Sequence, residues 1–368
     1  MKKWTLNSSP LDAVRELRQD MKRAEKKDST RLNEEQVIEA IWKILSSLRT
    51  KRLLPLPQTH RKSADPFSDD VVWIKEDRKK IERFVVAKAD MIVSSTDVPR
   101  QMSPRQISFK AVTSCVSDFA AKGVKPSFGI VSIALSRVSS TRGFVRGLAR
   151  GLKNACLAYG ICILGGDTNE SRDETVIDFC LFGFADRIVR RDGARVGDLV
   201  AVSGPFGLQA SGLKILVEGD STRLVSSNSF RRRAVASVLN PVARLEVGLE
   251  VSKYLTSSID SSDGLALSLY QLAEASKVCF ELDHIPIASG VEKFAKDNSL
   301  DPLDLALFGG EEYELVCTFN ESQRKLMESK GFTVIGRVSE GAVRKMPLVK
   351  YEDKVVPRKG WIHLTGCS

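Results

Sequence analysis

"ICILGGDTNE", residues 161–170, runs four apolar residues into two glycines, an acid and a hydroxyl. A strand that turns into a loop needs one glycine. Two in succession, Gly165 and Gly166, followed at once by Asp167 and Thr168, mark a place where something small and charged comes close to the backbone. A plain loop turn with a solvated acid is the alternative. The texture around this stretch sets the fold class. Short β-branched runs at 70–74, 83–93, 128–135, 161–164, 176–185 and 199–204 interleave with helical spacings at 104–122, 142–159, 207–217 and 264–276. They alternate without a regular βαβ period, which predicts an α+β fold and argues against a doubly wound sheet. The turn-rich "RRDGARVGD" at 190–198 is the expected domain boundary.

The bulk numbers agree with two domains and an appendage in 368 residues, 42% of them hydrophobic. No stretch approaches the roughly 18 apolar residues of a membrane span, and the start lacks the apolar core of a secretory signal. Seven scattered cysteines without a CxxC pattern suit a reducing cytoplasm and argue against zinc. The net charge of +10 is uneven: residues 1–62 hold 15 Lys and Arg against 8 Asp and Glu. The body is therefore close to neutral, which argues against nucleic acid as its partner. The basic N-terminal stretch reads as two helices, 9–28 and one following Asn33, joined to the body by a Pro-containing linker.

Carboxylates recur at the ends of apolar elements: Asp69 and Asp70 before a strand, Asp90 inside one, Asp118 in a helix, then Asp167, Asp260 and Asp263. Asp90 and Asp118 fall where a charge is normally excluded, because a buried carboxylate is costly unless it is paired or metal-bound. Asp263 before "GLALSLYQL" could equally be a helix N-cap, and Asp97 before Val-Pro reads as a turn acid. With only three histidines, far apart, the acid and hydroxyl set suits a hard oxygen-seeking cation, chiefly Mg²⁺, which usually arrives with substrate phosphates. "SGPFGLQASGL" at 203–213 can offer backbone N–H groups to an anion, but no Walker A, GxGxxG or protein-kinase set occurs.

In order along the chain, "SDD" at 68–70, "KAVTSCVSDFAAKGVKP" at 110–126, "GGDT" at 165–168, "RDGARVGD" at 191–198, "DSSDGL" at 260–265, "GGEEYEL" at 309–315 and "GWIHL" at 360–364 resemble the motifs of the thiamine-monophosphate kinase family. That family lies in the superfamily of aminoimidazole-ribonucleotide synthase. The likeness spans about residues 65–363, and "KADMIVSSTDVPRQMSPRQI" is similar to archaeal members.

The resemblance implies a two-domain aminoimidazole-ribonucleotide-synthase-like fold, with an N-terminal α/β dimerisation and ATP/metal-binding domain over 58–188 and a C-terminal α/β domain over 189–368, preceded by the helical basic extension read over 1–57. It implies an ATP-dependent kinase that converts thiamine monophosphate to thiamine diphosphate as a homodimer. Mg²⁺ ligands would come from Asp69, Asp70, Asp90, Asp118, Asp167, Asp260 and Asp263. Asp118, Gly165, Gly166, Asp167, Thr168, Arg191 and Ser262 would contact nucleotide, with Asp167, Asp263 and Arg191 the catalytic group. Asp97, Glu311, Glu312 and Trp361 would face the acceptor. Where the family has Ser-Thr before the metal-binding acid, this chain has Lys88-Ala89. The alternatives are a related superfamily enzyme with another small acceptor, or a degenerate nucleotide-binding member.

Overall fold

A computed structural model of the chain describes Gln36 and residues 69–78, 81–218, 224–340 and 348–362. Of the expected N-terminal helices only Gln36, in helical conformation, falls within the described residues. The chain divides into two compact units, and the larger, Pro55–Trp361, holds both sheets and the helices packed on them. The architecture is α+β. One mixed sheet has the order β1-β2-β5-β3-β4 and the other the order β12-β11-β8-β10-β6-β9-β7.

The first sheet comprises β1 (Val72–Arg78), β2 (Ile81–Val93), β3 (Lys125–Leu135), β4 (Cys162–Glu170) and β5 (Val176–Ala185). Its centre holds helix α1 (Pro104–Lys122) on one face, and α2 (Arg142–Tyr159) crosses over between the parallel strands β3 and β4. Local signals bound α1 closely. Ser103 and Gln106 form a reciprocal capping box, Pro104 occupies the first turn, and Gly123 ends the helix at φ 66°.

The second sheet comprises β6 (Leu199–Val202), β7 (Leu255–Asp260), β8 (Cys279–Leu282), β9 (Leu315–Phe319), β10 (Thr333–Ser339), β11 (Val349–Tyr351) and β12 (Lys354–Val355). Helices α3 (Leu208–Glu218), α4 (Asn228–Leu239), α5 (Leu245–Val251) and α6 (Leu265–Ser276) accompany it. One continuous apolar core joins Phe179 and Leu181 of β5, Val112, Val116 and Phe119 of α1, and Leu199, Leu315 and Phe319 of the second sheet. Helix α1 is thus covered by both sheets, and every residue from Ala111 to Lys122 is buried.

The opening stretch behaves differently from its expectation as a strand running into a loop. Gly165, Gly166, Asp167 and Thr168 continue β4 to Glu170, paired in parallel with β3. Gly166 is required by packing, because an added Cβ would fall 1.8 Å from the Val131 carbonyl oxygen of β3. A register shift between Gly129 and Ile130 accommodates that close approach.

Alternation along the strands sends neighbouring residues of β2 to opposite faces. Asp90 shares the α1-facing side with its β5 partner Phe179, which is fully buried. Met91 lies on the other side, in a row with Asp178, Ser132 and Asp167. That outer side carries exposed apolar residues, Met91 at 55% and Ile130 at 39%, together with the stacked rings of Phe128 and Phe182 at 5.2 Å. No helix among the described residues is long and apolar enough to cross a membrane.

Candidate active site

Within the buried helix α1, polar side chains recur at every fourth position: Lys110, Ser114, Asp118 and Lys122. Residues four apart share a helix face, so these make one stripe about 18 Å long at 1.5 Å per residue.

At the Lys122 end, the fully buried ammonium pairs with Asp69 Oδ1 at 2.7 Å and Asp70 Oδ2 at 2.5 Å and donates to the Ser258 carbonyl of β7 at 2.6 Å. The Arg191 guanidinium pairs with the other oxygen of Asp70, and the Arg191 N–H donates to Asp69 Oδ2 at 3.3 Å. One turn earlier on α1, Lys88 Nζ from β2 meets Asp118 Oδ2 at 2.8 Å.

Asp70, Asp118 and Asp260 converge between these cations. All three are buried, and one carboxylate oxygen from each lies within 4.8 Å of the others. Burial pushes the Asp118 carboxyl well above the usual range, opposed by Lys88 and reinforced by Asp260 and Asp90. Burial likewise raises Asp260, against the nearby Ser117 hydroxyl and the charges of Lys88, Arg191 and Lys122. Burial works against the charge of Lys88, but Asp118 and then Asp90 outweigh it and hold its pKa above the ordinary value. Arg191 is lowered by burial, with Asp69, Asp260 and Asp263 acting the other way.

These donors fit a hard divalent cation. Three carboxylate oxygens within reach of one another match an all-oxygen shell. The hydroxyls of Ser258 and Ser261, flanking Asp260, are buried without a hydrogen-bond partner among the described residues. Asp260 has no ion-pair partner within 4.0 Å among them, whereas Asp69, Asp70 and Asp118 already hold cations.

The Lys110 end is built from the loop between the short helix Pro302–Phe308 and β9. Lys110 Nζ donates to the Asp97 carbonyl at 2.7 Å and pairs with the Glu311 carboxylate. The Asp97 side chain itself accepts the Val93 N–H at 2.7 Å, the turn role read from sequence. The loop docks on "DSSDG": the Glu311 N–H donates to the Ser262 carbonyl at 2.5 Å and the Tyr313 N–H to the Ser261 carbonyl at 2.9 Å. Its three glutamates diverge to separate partners. Glu311 turns to Lys110, Glu312 accepts N–H groups of Gly207 and Gln209 at the start of α3, and Glu314 engages Arg244 and Ser203. The backbone N–H groups of the 203–213 loop, expected to be open to an anion, are therefore met by a carboxylate of the chain itself. Burial raises Glu312 to about 8, against those two N–H groups.

The other expected residues divide. Asp90 lies close enough for its charge to act on Lys88 and Asp118. The charge of Asp263 acts on Arg191, and its carbonyl accepts the Trp361 N–H at 2.9 Å. Asp263 does not cap α6, whose N-cap is Gly264 at φ 111°. Asp167 stands apart from the three converging acids, on the exposed outer side of the first sheet. Thr168 neighbours it on the opposite side of the same edge strand.

The N-terminal domain of AIR synthase related proteins matches residues 69–185. Over 312 residues the chain is 38% identical to the thiamine-monophosphate kinase of Nitrosopumilus maritimus, an alignment covering 82% of this chain and 95% of that relative. The chain belongs to the thiamine-monophosphate kinase family. Its member from Pyrococcus horikoshii is 35% identical over 289 residues, covering 77% of this chain and 88% of that one. A solved structure of AaThiL complexed with AMPPCP and TMP superposes with a TM-score of 0.76 at 28% identity, covering 91% of this chain and 99% of that one.

Two site cations escape the reading by motifs of the thiamine-monophosphate kinase family. Lys110 and Lys122 both lie within the 110–126 motif, which assigns them no role. A signal is present all the same, since Lys110, Asp118 and Lys122 share one face of the helix with Ser114 and cannot face solvent when the helix is buried.

Proposed function

We propose that this chain transfers the γ-phosphoryl group of ATP to thiamine monophosphate, giving thiamine diphosphate and ADP, as a Mg²⁺-dependent homodimer of the cytoplasm. The observation that carries the reading is the convergence of buried Asp70, Asp118 and Asp260 beside Arg191, where α1, the approach to β1 and the end of β7 meet.

Asp70, Asp118 and Asp260 would hold Mg²⁺, with Asp69, Asp90, Asp167 and Asp263 completing the acid set. When bound, Mg²⁺ supplies charge neutralisation to the phosphate oxygens. The protein's own part is positioning and electrostatics. Arg191, tethered through Asp69 and Asp70, presents a fixed guanidinium toward phosphate. An oxygen of the acceptor monophosphate attacks the γ-phosphorus while the bond to the ADP oxygen breaks. The acceptor is already ionised, so no general base has to take a proton. Glu311 and Asp97, joined through Lys110, with Glu312 and Trp361, would bound the acceptor end.

The exposed apolar outer side of the first sheet supports a dimer formed through that face. Asp167 lies on it, so pairing of two chains would bring this acid to the interface. A second reading, a nucleotide-binding member without turnover, draws on one observation: Lys88 already engages Asp118.

The deciding experiment incubates purified protein with ATP, Mg²⁺ and thiamine monophosphate and measures thiamine diphosphate. Product that is lost in Asp260→Asn supports the kinase; ATP binding without product supports the second reading.

A further inference from the structure

Lys88 sits at the centre of the inner face of β2, in a row with Leu181 and Gly129, both buried. The next inward residue on the strand is Asp90, and Asp118 reaches the ammonium from α1 at 2.8 Å. The Lys88 side chain is 24% exposed while that of Asp118 is 8% exposed, so the ammonium stands at the mouth of the acid cluster. We propose that Lys88 is a resident cation of the phosphate site, holding Asp90 and Asp118 in the place of one divalent ion. The inference rests on the phosphotransfer reading and concerns how that site is charged.

The physical case has three parts. An ammonium is a compact point charge with three donors, so one can engage Asp118 while others remain for Asp90 and a phosphate oxygen. Lys88 Nζ stands 2.8 Å from Asp118 Oδ2, so the positive charge is fixed in place by an ion pair. A divalent ion drawing on the same two acids would stand within a few ångströms of that fixed charge, where like-charge repulsion in a partly buried site is severe. At the other end of the cluster Asp260 has no ion-pair partner within 4.0 Å among the described residues, although its neighbour Asp70 already holds Lys122 and Arg191. Divalent binding is thereby directed to that side, and the chain uses one ion fewer than a site with a hydroxyl at position 88.

The test counts ions. Mn²⁺ is titrated into the full chain with the non-hydrolysable analogue AMPPCP, free Mn²⁺ is read by electron paramagnetic resonance, and wild type is compared with Lys88→Ser and Lys88→Arg. One additional Mn²⁺ per chain in Lys88→Ser, with Lys88→Arg like wild type, supports the proposal. Equal counts in all three overturn it and leave the kinase reading intact. Absence of both Mn²⁺ and AMPPCP binding in wild type overturns the kinase reading and the proposal together. Asp90→Asn in the wild-type background keeps the question open to refutation if Lys88→Ser fails to fold. An unchanged Mn²⁺ count supports the ammonium as the partner of Asp90, and loss of one ion overturns it.

Discussion

Glu312 accepts the backbone N–H of Gly207 at 2.7 Å, so a carboxylate from the loop before β9 caps the start of α3. Its pKa is raised to about 8, first by burial. The folded chain thus binds a proton that the unfolded chain releases between the ordinary value of 4.5 and about 8. The associated stability is complete below pH 4.5 and is lost as pH rises through about 8. The unfolding free energy of wild type, read from urea titrations, should fall across that window by an amount on the order of 5 kcal/mol, and Glu312→Gln should flatten the decline. Parallel pH profiles for the two proteins would refute this account of the loop.

Lys122 is the sole side chain among the described residues that joins both Asp69 and Asp70 to β7. Lys122→Met leaves two carboxylates and a carbonyl without that donor in a buried site. Breaking a buried pair on one side costs about 3–5 kcal/mol. Denaturant unfolding should register that loss, and adding Asp70→Asn should recover part of it.

Asp118→Asn and Asp260→Asn each remove a carboxylate from the buried cluster proposed to serve phosphoryl transfer. Turnover to thiamine diphosphate should fall by about 100- to 1,000-fold. Circular dichroism should stay native, since asparagine keeps the size and shape of the aspartate it replaces. Turnover within tenfold of wild type would exclude the cluster as the catalytic centre.

Gly166→Ala places a methyl group against the Val131 carbonyl. The strand must shift, at about 1–3 kcal/mol. Gly165→Ala, with open space around its Cβ position, should be close to neutral in the same thermal melt.

Met91→Glu and Ile130→Glu put charge on the exposed apolar side of the first sheet. Sedimentation equilibrium should report a dimer for wild type and a monomer for the pair of substitutions. A dimer that survives both would place the interface elsewhere.

Much of this architecture is legible before folding is considered. Helices α1 and α2 and strand β5 begin and end where their caps and β-branched runs place them, because those signals are local. The strands beyond β6 escape such a reading: "LVCTF" and "CFEL" are too short and too uniformly apolar to show a period. The glycines at 165 and 166 differ from their expected loop role for another reason. The need for Gly166 arises from a neighbouring strand's carbonyl, which only the parallel pairing brings near. The acids of the site are recognisable as misplaced charges, and Asp118 and Asp260 do meet. That Lys88 and Lys122 answer them depends on the packing of α1 between two sheets, a tertiary fact.

Consecutive residues of β2, Asp90 and Met91, look in opposite directions through a single layer of backbone. The acid of the inner face and the apolar residue of the outer face are therefore written in alternate letters of one word. Loss or gain of a single residue there would transpose the two texts at once, carrying the acid to the outer face and the thioether toward the buried acids. Evolution along this strand can revise letters but is barred from changing the spacing.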